Sequence, residues 1–437
     1  MSGELVTIVM FGGMLLLMIC GLPIAFALGG VSLVTALFIW GPKGLSMGLF
    51  GTTGIMVMYP LACAPMFMFM GILLSSSGIV EDVFRTIQNW LGAIPGSLAM
   101  ATVGVSTILA AMVGDITAAT LTMGAIALPI MIKLKYNKTI SIGSIQAGAA
   151  LGFLIPPSII TVLYALISKQ SIGQLFAGGL IPGVMLSTMY IIYILVRCYF
   201  QPHLGSPVSK AERPPLAVKV KSLVSILLPL VVILSVIGTI FLGLATPVES
   251  SAIGALGAVI ATAIKRRLTW DVVRKALEAS VSITGMITWI FMGALTFGKI
   301  YDALGARDVV EPFIFSLGLG RWGIMIMMMV SWFIMGMFLD DTAILFICLP
   351  IYLPIIQELG FDPIWFGILY LLNMQMAYLT PPFGYCLFMM KAVAPPDISM
   401  IDIYKSTTPF VLIQALGLVF VIIFPGLALW LPRVLFK

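Results

Sequence analysis

The stretch Gly152-Phe-Leu-Ile-Pro-Pro-Ser158 recurs 225 residues later as Ala377-Tyr-Leu-Thr-Pro-Pro-Phe-Gly384, and this pair of motifs is the most informative feature of the sequence for the fold. Each motif places two consecutive prolines in the middle of a long apolar segment. Proline has no N–H and clashes with the preceding turn, so two prolines break a helix and free carbonyl groups about one turn upstream. Such carbonyls are tolerated at membrane depth where they line a cavity or bind an ion. The motifs therefore predict two broken helices at a polar site.

The composition predicts a multi-pass membrane protein. Of 437 residues, 61% are hydrophobic and 9% are charged, whereas a soluble domain carries roughly 25% charged residues. Apolar segments recur at close to the ~20 residues that cross the hydrocarbon core of a bilayer. They lie at approximately 5–21, 22–40, 50–77, 140–167 and 173–199 in the first half, and at 223–244, 246–264, 280–301, 364–390 and 406–432 in the second.

The charged, cysteine and histidine residues argue against several classes of function. The net charge of +6 comes from basic residues that lie between apolar segments rather than along one face, which indicates membrane topology and not nucleic-acid binding. The five cysteines are scattered without a paired spacing, and the single histidine, His203, lies in a polar segment. Disulfides, a cysteine or histidine metal site and histidine-based catalysis are therefore not expected.

Two further apolar stretches are predicted to form re-entrant helical hairpins. Gly114-Asp115-Ile116-Thr117 interrupts the first stretch, and Leu339-Asp340-Asp341-Thr342 interrupts the second. A carboxylate in the middle of an apolar stretch is costly in lipid, so each stretch is interpreted as two half-helices that meet at a polar tip. Asp115 and Asp340 are candidate ion ligands, proton carriers or N-caps of the second half-helix, and these roles stay open at this point.

The two halves of the chain repeat each other. The offset of 225 residues that relates the proline pairs also relates Asp115 to Asp340 and Thr117 to Thr342, which indicates a duplication. The predicted organisation is a first repeat at 1–200 with a hairpin at about 96–133 and a broken helix at about 140–167, a cytoplasmic linker at 201–221, and a second repeat at 222–437 with a hairpin at about 321–357 and a broken helix at about 364–390.

The loop charges predict opposite membrane orientations for the two repeats. Lys133, Lys135 and Lys138 follow the first hairpin, whereas Glu358 and Asp362 follow the second. Because basic loops stay on the cytoplasmic side, the first loop is predicted inside and the second outside. The repeats are then inverted, and both termini of this multi-pass protein of the bacterial inner membrane are predicted to be periplasmic.

Inverted repeats with broken helices are typical of secondary transporters. The segment Gly293–Ile300 lacks the Ser or Thr that a phosphate-binding loop requires, so transport energy is expected from an ion gradient. Carbonyl, hydroxyl and carboxylate oxygens suit Na⁺. The alternative is an intramembrane enzyme of the aspartyl type that uses Asp115 and Asp340, which leaves the paired proline breaks unexplained. Glu249, expected to be buried in a span, is either a partner for a backbone gap or a functional acid.

Motifs along nearly the whole chain carry a family resemblance. They are Pro65-Met-Phe with Gly71, Ile94-Pro-Gly96, Leu151-Gly-Phe-Leu-Ile-Pro-Pro-Ser158, Phe176-Ala-Gly-Gly-Leu-Ile-Pro-Gly183, Ala245-Thr-Pro-Val-Glu249, Gly336-Met-Phe-Leu-Asp340, Gly360-Phe-Asp-Pro363 and Leu379-Thr-Pro-Pro-Phe-Gly384. This set resembles the large membrane subunit of tripartite ATP-independent periplasmic (TRAP) transporters, the DctM-type family. The resemblance implies an all-α ion-transporter-superfamily fold with a mobile elevator domain and Na⁺-driven uptake of a small organic anion, a carboxylate or a sulfonate. It also implies a periplasmic substrate-binding protein and a small four-helix membrane subunit as partners.

The resemblance also implies positions for the bound ions and the substrate. One Na⁺ site would comprise Gly114, Asp115, Thr117, Gly152, Ile155 and Pro157. The other would comprise Gly336, Asp340, Thr342, Ala377, Thr380 and Phe383, and the substrate would lie near Pro156, Ser158, Pro381 and Gly384. The first tip, Val113-Gly-Asp-Ile116, departs from the Ser-Gly-Ser-Ser pattern of many members, and Ala377 stands where glycine is usual.

Overall fold

The computed structural model describes residues 3–91, 94–205, 215–305, 307–382 and 384–436. These residues form twenty α-helices, joined in places by short 3₁₀ turns, and contain no β-strand. In this part of the chain, nine helices are long and apolar enough to cross a membrane, by length and composition. The all-α polytopic fold expected from the sequence is therefore confirmed.

The helices follow one another with short connections. The first ten are α1 Gly3–Ile19, α2 Ile24–Trp40, α3 Ser46–Met56, α4 Cys63–Ser76, α5 Ile79–Leu91, α6 Ser97–Val113, α7 Ile116–Lys133, α8 Lys138–Ala150, α9 Ile159–Ser168 and α10 Ile172–Phe200. The second ten are α11 Leu216–Phe241, α12 Pro247–Ile264, α13 Trp270–Ala303, α14 Arg307–Ser316, α15 Arg321–Gly336, α16 Asp341–Glu358, α17 Pro363–Tyr378, α18 Tyr385–Val393, α19 Met400–Ile423 and α20 Gly426–Leu435.

Two tight helical hairpins occupy the stretches where the sequence places them. The first tip joins α6 to α7, and the second joins α15 to α16. Gly114 ends α6 with a φ of 67°, a left-handed conformation that glycine adopts without the steric cost of a Cβ. Each tip is followed directly by the N-terminus of a helix, whose first backbone N–H groups have no acceptor within the helix.

The proline pairs interrupt regular helix in both halves. α8 ends at Ala150 and α9 begins at Ile159, whereas α17 ends at Tyr378 and α18 begins at Tyr385. Both Pro–Pro peptide bonds are cis. We call the two segments the broken segments (151–158 and 379–384, of which residue 383 lies outside the described chain). The first is largely buried, whereas Pro381 and Pro382 of the second are exposed.

Glycine lets each hairpin approach its broken helix closely. A Cβ on Gly152 would lie 2.7 Å from the Cβ of Ala110 on α6. In the second half, a Cβ on Gly336 of α15 would lie 2.6 Å from the Cβ of Ala377 on α17. Side chains at either glycine would force the backbones apart. Small residues therefore bring each tip next to a broken segment.

A second group of helices packs on the other side of the hairpins. α13 packs on α2 and α4, and α4 packs on α12. The helix α5, which precedes the first hairpin, is tied to this group by ion pairs. Asp82 of α5 lies 3.3 Å from the ammonium of Lys265 and 3.3 Å from the guanidinium of Arg267, both after α12.

Three local expectations from the sequence are corrected. The apolar segment 50–77 contains two helices, α3 and α4, because Pro60 falls between them and cannot donate to a continuous helix. Part of the segment predicted as a linker, 201–221, is helical because α11 begins at Leu216, and residues 206–214 lie outside the described chain. Glu249 is exposed rather than buried. The repeat boundaries and the inverted orientation of the halves stay predictions.

Candidate functional site

Both hairpin tips open onto a single cavity of about 250 Å³, which we call the tip cavity. The first tip contributes Gly114, Asp115 and Thr117, and the second contributes Asp340, Asp341 and Thr342. The rest of the wall is largely apolar and comes from α4, α9, α13, α18 and the first broken segment. It includes Met68, Ile72, Phe153, Ile159, Ile283, Met286, Ile287 and Tyr385.

Asp115 forms the N-cap of α7. Its carboxylate accepts the backbone N–H groups of Thr117 at 2.9 Å and of Ala118 at 3.3 Å. The preceding Gly114 packs on the first broken segment, since a Cβ at this position would lie 3.2 Å from the carbonyl oxygen of Pro157. The first tip is thus held by its own cap and by contact with the proline motif.

The second tip is held by two tyrosines of α17. The Asp341 N–H donates to the hydroxyl oxygen of Tyr378 at 2.8 Å, and that hydroxyl lies 3.0 Å from Oδ1 of both Asp340 and Asp341. The hydroxyl of Tyr370 donates to the backbone carbonyl of Asp341 at 2.5 Å. Asp340 caps α16 by accepting the N–H of Thr342 at 3.1 Å. These bonds connect the second tip to the helix that leads into the second broken segment.

The broken segments provide carbonyl oxygens that do not accept the backbone N–H groups that a regular helix would supply. Pro156 and Pro157 have no N–H, so the carbonyls of Gly152 and Phe153 lose their normal helical donors. The Phe153 carbonyl instead accepts the hydroxyl of Thr161 at 3.2 Å. In the same segment the hydroxyl of Ser158 is buried and finds no hydrogen-bond partner among the described residues. Buried oxygens of this kind fit a bound cation or water.

The second broken segment has a similar set of oxygens. Pro381 and Pro382 deprive Ala377 and Tyr378 of their helical donors, and the Ala377 carbonyl accepts the N–H of Thr380 at 3.1 Å. The hydroxyl of Thr380 donates to a backbone carbonyl one turn earlier at 2.7 Å. Its oxygen lone pairs remain able to coordinate a cation.

The structure brings together some of the predicted site residues and separates others. The tip residues Gly114, Asp115, Thr117, Asp340 and Thr342 line the cavity. Gly152, Ile155, Pro157, Gly336, Ala377 and Thr380 belong to the broken helices and hairpin contacts and do not line it, and neither do the predicted substrate residues Pro156, Ser158, Pro381 and Gly384. Phe383 lies outside the described residues. Their assignment to ions and substrate stays a prediction.

Sequence reasoning missed Asp341 and the tyrosines around it. Asp341 lines the cavity and is 7% exposed. The sequence signal for Asp341 is that it forms a doublet with Asp340, but only Asp340 was considered as a site residue. Tyr370, Tyr378 and Tyr385 carried no such signal, because an aromatic residue in an apolar segment is more often part of the core.

The acidic and basic residues of the described chain that line the tip cavity are all aspartates. Asp115, Asp340 and Asp341 line it, whereas no Lys, Arg or His from the described ranges does so. The ion pairs of the described chain lie elsewhere, at Asp82, Asp271, Glu278 and Asp397. The carboxylates do not converge on one point, since no described group of three His, Cys, Asp or Glu side chains is arranged to hold a metal ion.

Glu249 has a structural explanation. Its carboxylate accepts the N–H of Thr246 at 2.7 Å and the Thr246 hydroxyl at 2.8 Å, while the Glu249 N–H donates back to that hydroxyl. This reciprocal capping box starts α12. Glu249 does not line the tip cavity.

Irregular backbone and hairpin tips around a cavity in an apolar helical protein are typical of membrane transporters. The family model described as "Tripartite ATP-independent periplasmic transporter, DctM component" matches residues 11–427. The chain therefore belongs to the DctM family of TRAP transporters. It is the large, multi-pass permease component and not an enzyme, because its relatives are named as transporter permeases, so the aspartyl-enzyme alternative is wrong.

Curated relatives match the chain over nearly its full length. The C4-dicarboxylate TRAP transporter large permease protein DctM of Pseudomonas aeruginosa is 30% identical, over 92% of this chain and 93% of its own. The sialic acid permease SiaM of Vibrio cholerae is 28% identical, over 96% and 97%. The ectoine permease TeaC of Halomonas elongata is 27% identical, over 99% and 100%.

Solved transporters share the fold at low sequence identity. The YdaH transporter of Alcanivorax borkumensis superposes with a TM-score of 0.66 at 12% identity, covering 91% of this chain and 90% of its own. MtrF of Neisseria gonorrhoeae gives a TM-score of 0.57 at 13% identity, covering 90% and 85%. The arrangement of helices is therefore one that other membrane transporters adopt.

Proposed function

We propose that this protein is the Na⁺-coupled permease subunit of a transporter that imports a small organic acid by elevator-type alternating access. The observation that carries the proposal is that both hairpin tips, each next to a broken segment, meet at one cavity. The relatives support an organic acid as substrate, because they are named as C4-dicarboxylate, sialic acid, isethionate and ectoine permeases.

The oxygen-rich surroundings of both tips support coupling to Na⁺. Unwound backbone and half-helix ends coordinate Na⁺ or protons in secondary transporters. Here the first tip packs on the carbonyl of Pro157, and Ser158 next to it has a buried hydroxyl without a partner among the described residues. The second tip offers Asp340, Asp341 and Thr342 beside α17. Both Na⁺ and the organic acid are cargo that these groups would bind and release.

The two sides of the tip cavity support an elevator movement. Its polar groups come from the hairpin tips, whereas α4 and α13 contribute apolar side chains such as Met68, Ile72, Ile283 and Ile287. An apolar wall has no hydrogen bonds that must be broken when the hairpins slide past it. The hairpins with their broken helices would form the mobile domain, and α2, α4, α12 and α13 would form part of the static scaffold.

The family name supports two further partners. A transporter described as tripartite and periplasmic has two components besides this permease, and a periplasmic substrate-binding protein with a second, small membrane subunit would supply them. We propose that the binding protein delivers the organic acid and that a four-helix subunit packs against the scaffold. Reconstituted alone, the chain is then expected to take up little free substrate.

Uptake into vesicles tests the proposal. The vesicles would contain this chain and its small subunit, and the binding protein would be added with the acid that stabilises it most in a thermal-shift screen of organic acids. An inward Na⁺ gradient should drive accumulation, whereas an equal K⁺ gradient should not. Accumulation that is the same in Na⁺ and K⁺ would exclude Na⁺ coupling, and full uptake without the binding protein would exclude the tripartite arrangement.

A further inference from the structure

A groove of about 590 Å³ lies on the outer surface of α10, away from the tip cavity, and Ile413 of α19 lines it as well. The apolar part of its α10 wall recurs every three or four residues, which places it on one face of the helix. It consists of Met189, Ile192, Val196 and Phe200. Ile192 is 52% exposed and Phe200 is 77% exposed. Because α10 is long and apolar enough to cross a membrane, this exposed apolar groove faces lipid.

Three polar side chains line the same groove near the C-terminus of α10. They belong to Tyr193, Arg197 and Gln201, which follow one another at intervals of four residues. No hydrogen bond or ion pair joins these side chains to the described part of the chain. The ring of Tyr193 is held by an edge-on contact with Phe410 of α19, with 5.3 Å between the ring centroids. A hydroxyl, a guanidinium and an amide are therefore available to a ligand in the groove.

The length of α10 places these polar groups at the level of the lipid headgroups. The helix has 29 residues, which corresponds to about 43 Å, whereas the hydrocarbon core of a bilayer is about 30 Å thick. Arg197 is the one charged residue of α10 and lies in its last turn. Since a charge is costly inside the hydrocarbon core, this end of the helix extends beyond it. The sequence predicts that this end is cytoplasmic, and anionic lipids are characteristic of the cytoplasmic leaflet.

Two other grooves on the outer surface lack a charged group. One of about 770 Å³ lies between α4, α12 and α13, and one of about 470 Å³ lies between α2, α3 and α13. No Lys, Arg, Asp or Glu of the described residues lines either groove. All three grooves suit an apolar chain, but the groove of α10 and α19 also has a cation for a phosphate. The C-terminus of α10 carries about half a negative charge, which the full charge of the Arg197 guanidinium outweighs.

We propose that the groove of α10 and α19 binds an anionic phospholipid, with the phosphate on Arg197 and an acyl chain along the apolar part of the groove. A guanidinium donates to two phosphate oxygens at once, which favours Arg197 as the phosphate ligand. The Tyr193 hydroxyl and the Gln201 amide are further donors beside it. Besides α19, α10 packs on α6 of the first hairpin and on α17. The lipid would therefore bind on the hairpin side of the protein, and the inference does not depend on the substrate or on Na⁺.

Lipid binding to the purified full-length chain tests the site. Native mass spectrometry of the delipidated protein compares phosphatidylglycerol with phosphatidylcholine of the same acyl chains. Phosphatidylglycerol should bind more tightly, and Arg197→Gln should weaken its binding about tenfold, as expected for the loss of hydrogen bonds to a charged group. Arg433→Gln is the control, because Arg433 is also exposed in the last turn of a helix, α20, and does not line the groove. A preference for phosphatidylglycerol that Arg197→Gln leaves intact, or equal losses in both variants, would overturn the proposal.

A second pair of variants tests the acyl chain without changing any charge. Val196→Trp fills the groove at a side chain that is 48% exposed, so the fold should tolerate it, and phosphatidylglycerol binding should fall several-fold. Val184→Trp is matched to it, since Val184 is 54% exposed on the same helix and does not line the groove. Equal binding by the two variants would contradict a chain in the groove. Inorganic phosphate distinguishes a lipid from a free anion: at millimolar concentration it should leave the Tm unchanged, and stabilisation equal to that by phosphatidylglycerol would overturn the lipid assignment.

Discussion

Neighbouring carboxylates at the second tip have different surroundings. Asp340 is exposed to the cavity and caps α16, whereas Asp341 is buried and is held through its backbone and side chain by Tyr370 and Tyr378. Burying a carboxylate is costly unless donors or cations compensate it. The Tyr378 hydroxyl, which contacts both aspartates, is therefore the group on which the geometry of this tip depends most.

Removing the Tyr378 hydroxyl should destabilise the second tip. Tyr378→Phe keeps the ring, which lies 5.6 Å from the ring of Phe153, and leaves the Asp341 N–H without its acceptor. The free energy of unfolding should fall by about 1–3 kcal/mol, the typical cost of an unsatisfied buried polar group. The readout is the Tm of the purified protein. Tyr190→Phe is the control, because the buried Tyr190 hydroxyl has no partner among the described residues, and its Tm should stay the same or rise. Equal losses in both variants would contradict the assigned role of Tyr378.

The Thr380 hydroxyl provides a residue-scale test of Na⁺ binding. Thr380→Val preserves the shape of the side chain and removes one oxygen ligand, so the Na⁺ concentration that half-maximally raises the Tm should increase roughly tenfold, as expected for about 1.4 kcal/mol. Thr408→Val is matched to it, since the Thr408 hydroxyl makes the same bond to a carbonyl one turn earlier but lies on the exposed side of α19. A Na⁺ response unchanged in Thr380→Val would remove Thr380 from the ion site.

At the scale of elements, each hairpin and its broken helix form one packed unit. α6 packs on α8, and α15 packs on α17, with close contacts at Gly152, just after α8, and at Gly336. The sequence predicts these elements well, because Pro–Pro and an aspartate in an apolar stretch act through local chemistry that needs no tertiary information. It does not reveal how the two units face each other, which depends on packing between residues more than two hundred positions apart.

One feature of the site and one feature of the fold could not be predicted from local chemistry. Tyr370 and Tyr378 resemble ordinary core aromatics in the sequence, and only the fold shows their hydroxyls at Asp341. The division of the segment 50–77 was missed because Pro60 and Pro65 are isolated prolines, and single prolines also occur inside helices such as α10 and α11. Tertiary packing decides between a kink and a break in such cases.

Filling the space at Gly336 should separate a hairpin from its broken helix. In Gly336→Ala the added methyl would lie 2.6 Å from the Cβ of Ala377, so α15 must move away from α17. Overpacking of this kind typically costs about 1–3 kcal/mol, and the Tm should fall. Gly12→Ala in α1 is the control, because nothing lies within 4 Å of a Cβ there. The control should be neutral or slightly stabilising, since alanine is the better helix former. A Tm unchanged in Gly336→Ala would contradict close packing of the second hairpin.

At the scale of the whole molecule, the inverted orientation of the halves is open to direct test. Lys133 at the end of α7 and Glu358 at the end of α16 are related by the 225-residue offset, and both are exposed. The basic and acidic loops that they begin predict opposite sides of the membrane. In a chain without native cysteines, Glu358→Cys should react with a membrane-impermeant maleimide in intact spheroplasts. Lys133→Cys should react only after permeabilisation. Equal labelling of both in sealed cells would rule out an inverted repeat.

In the whole molecule, one cavity has a polar side formed by the hairpin tips and an apolar wall. The proposed mechanism requires that this cavity open to each side of the membrane in turn. Ala118, directly behind the first tip, lines the cavity and reports on its access. The measurement is the rate at which Ala118→Cys, in a chain without native cysteines, reacts with an impermeant maleimide applied from outside or from inside oriented vesicles. The account predicts reaction from both sides, with Na⁺ changing the two rates in opposite directions. Reaction from one side alone, in the presence and absence of Na⁺, would contradict alternating access at the tip cavity.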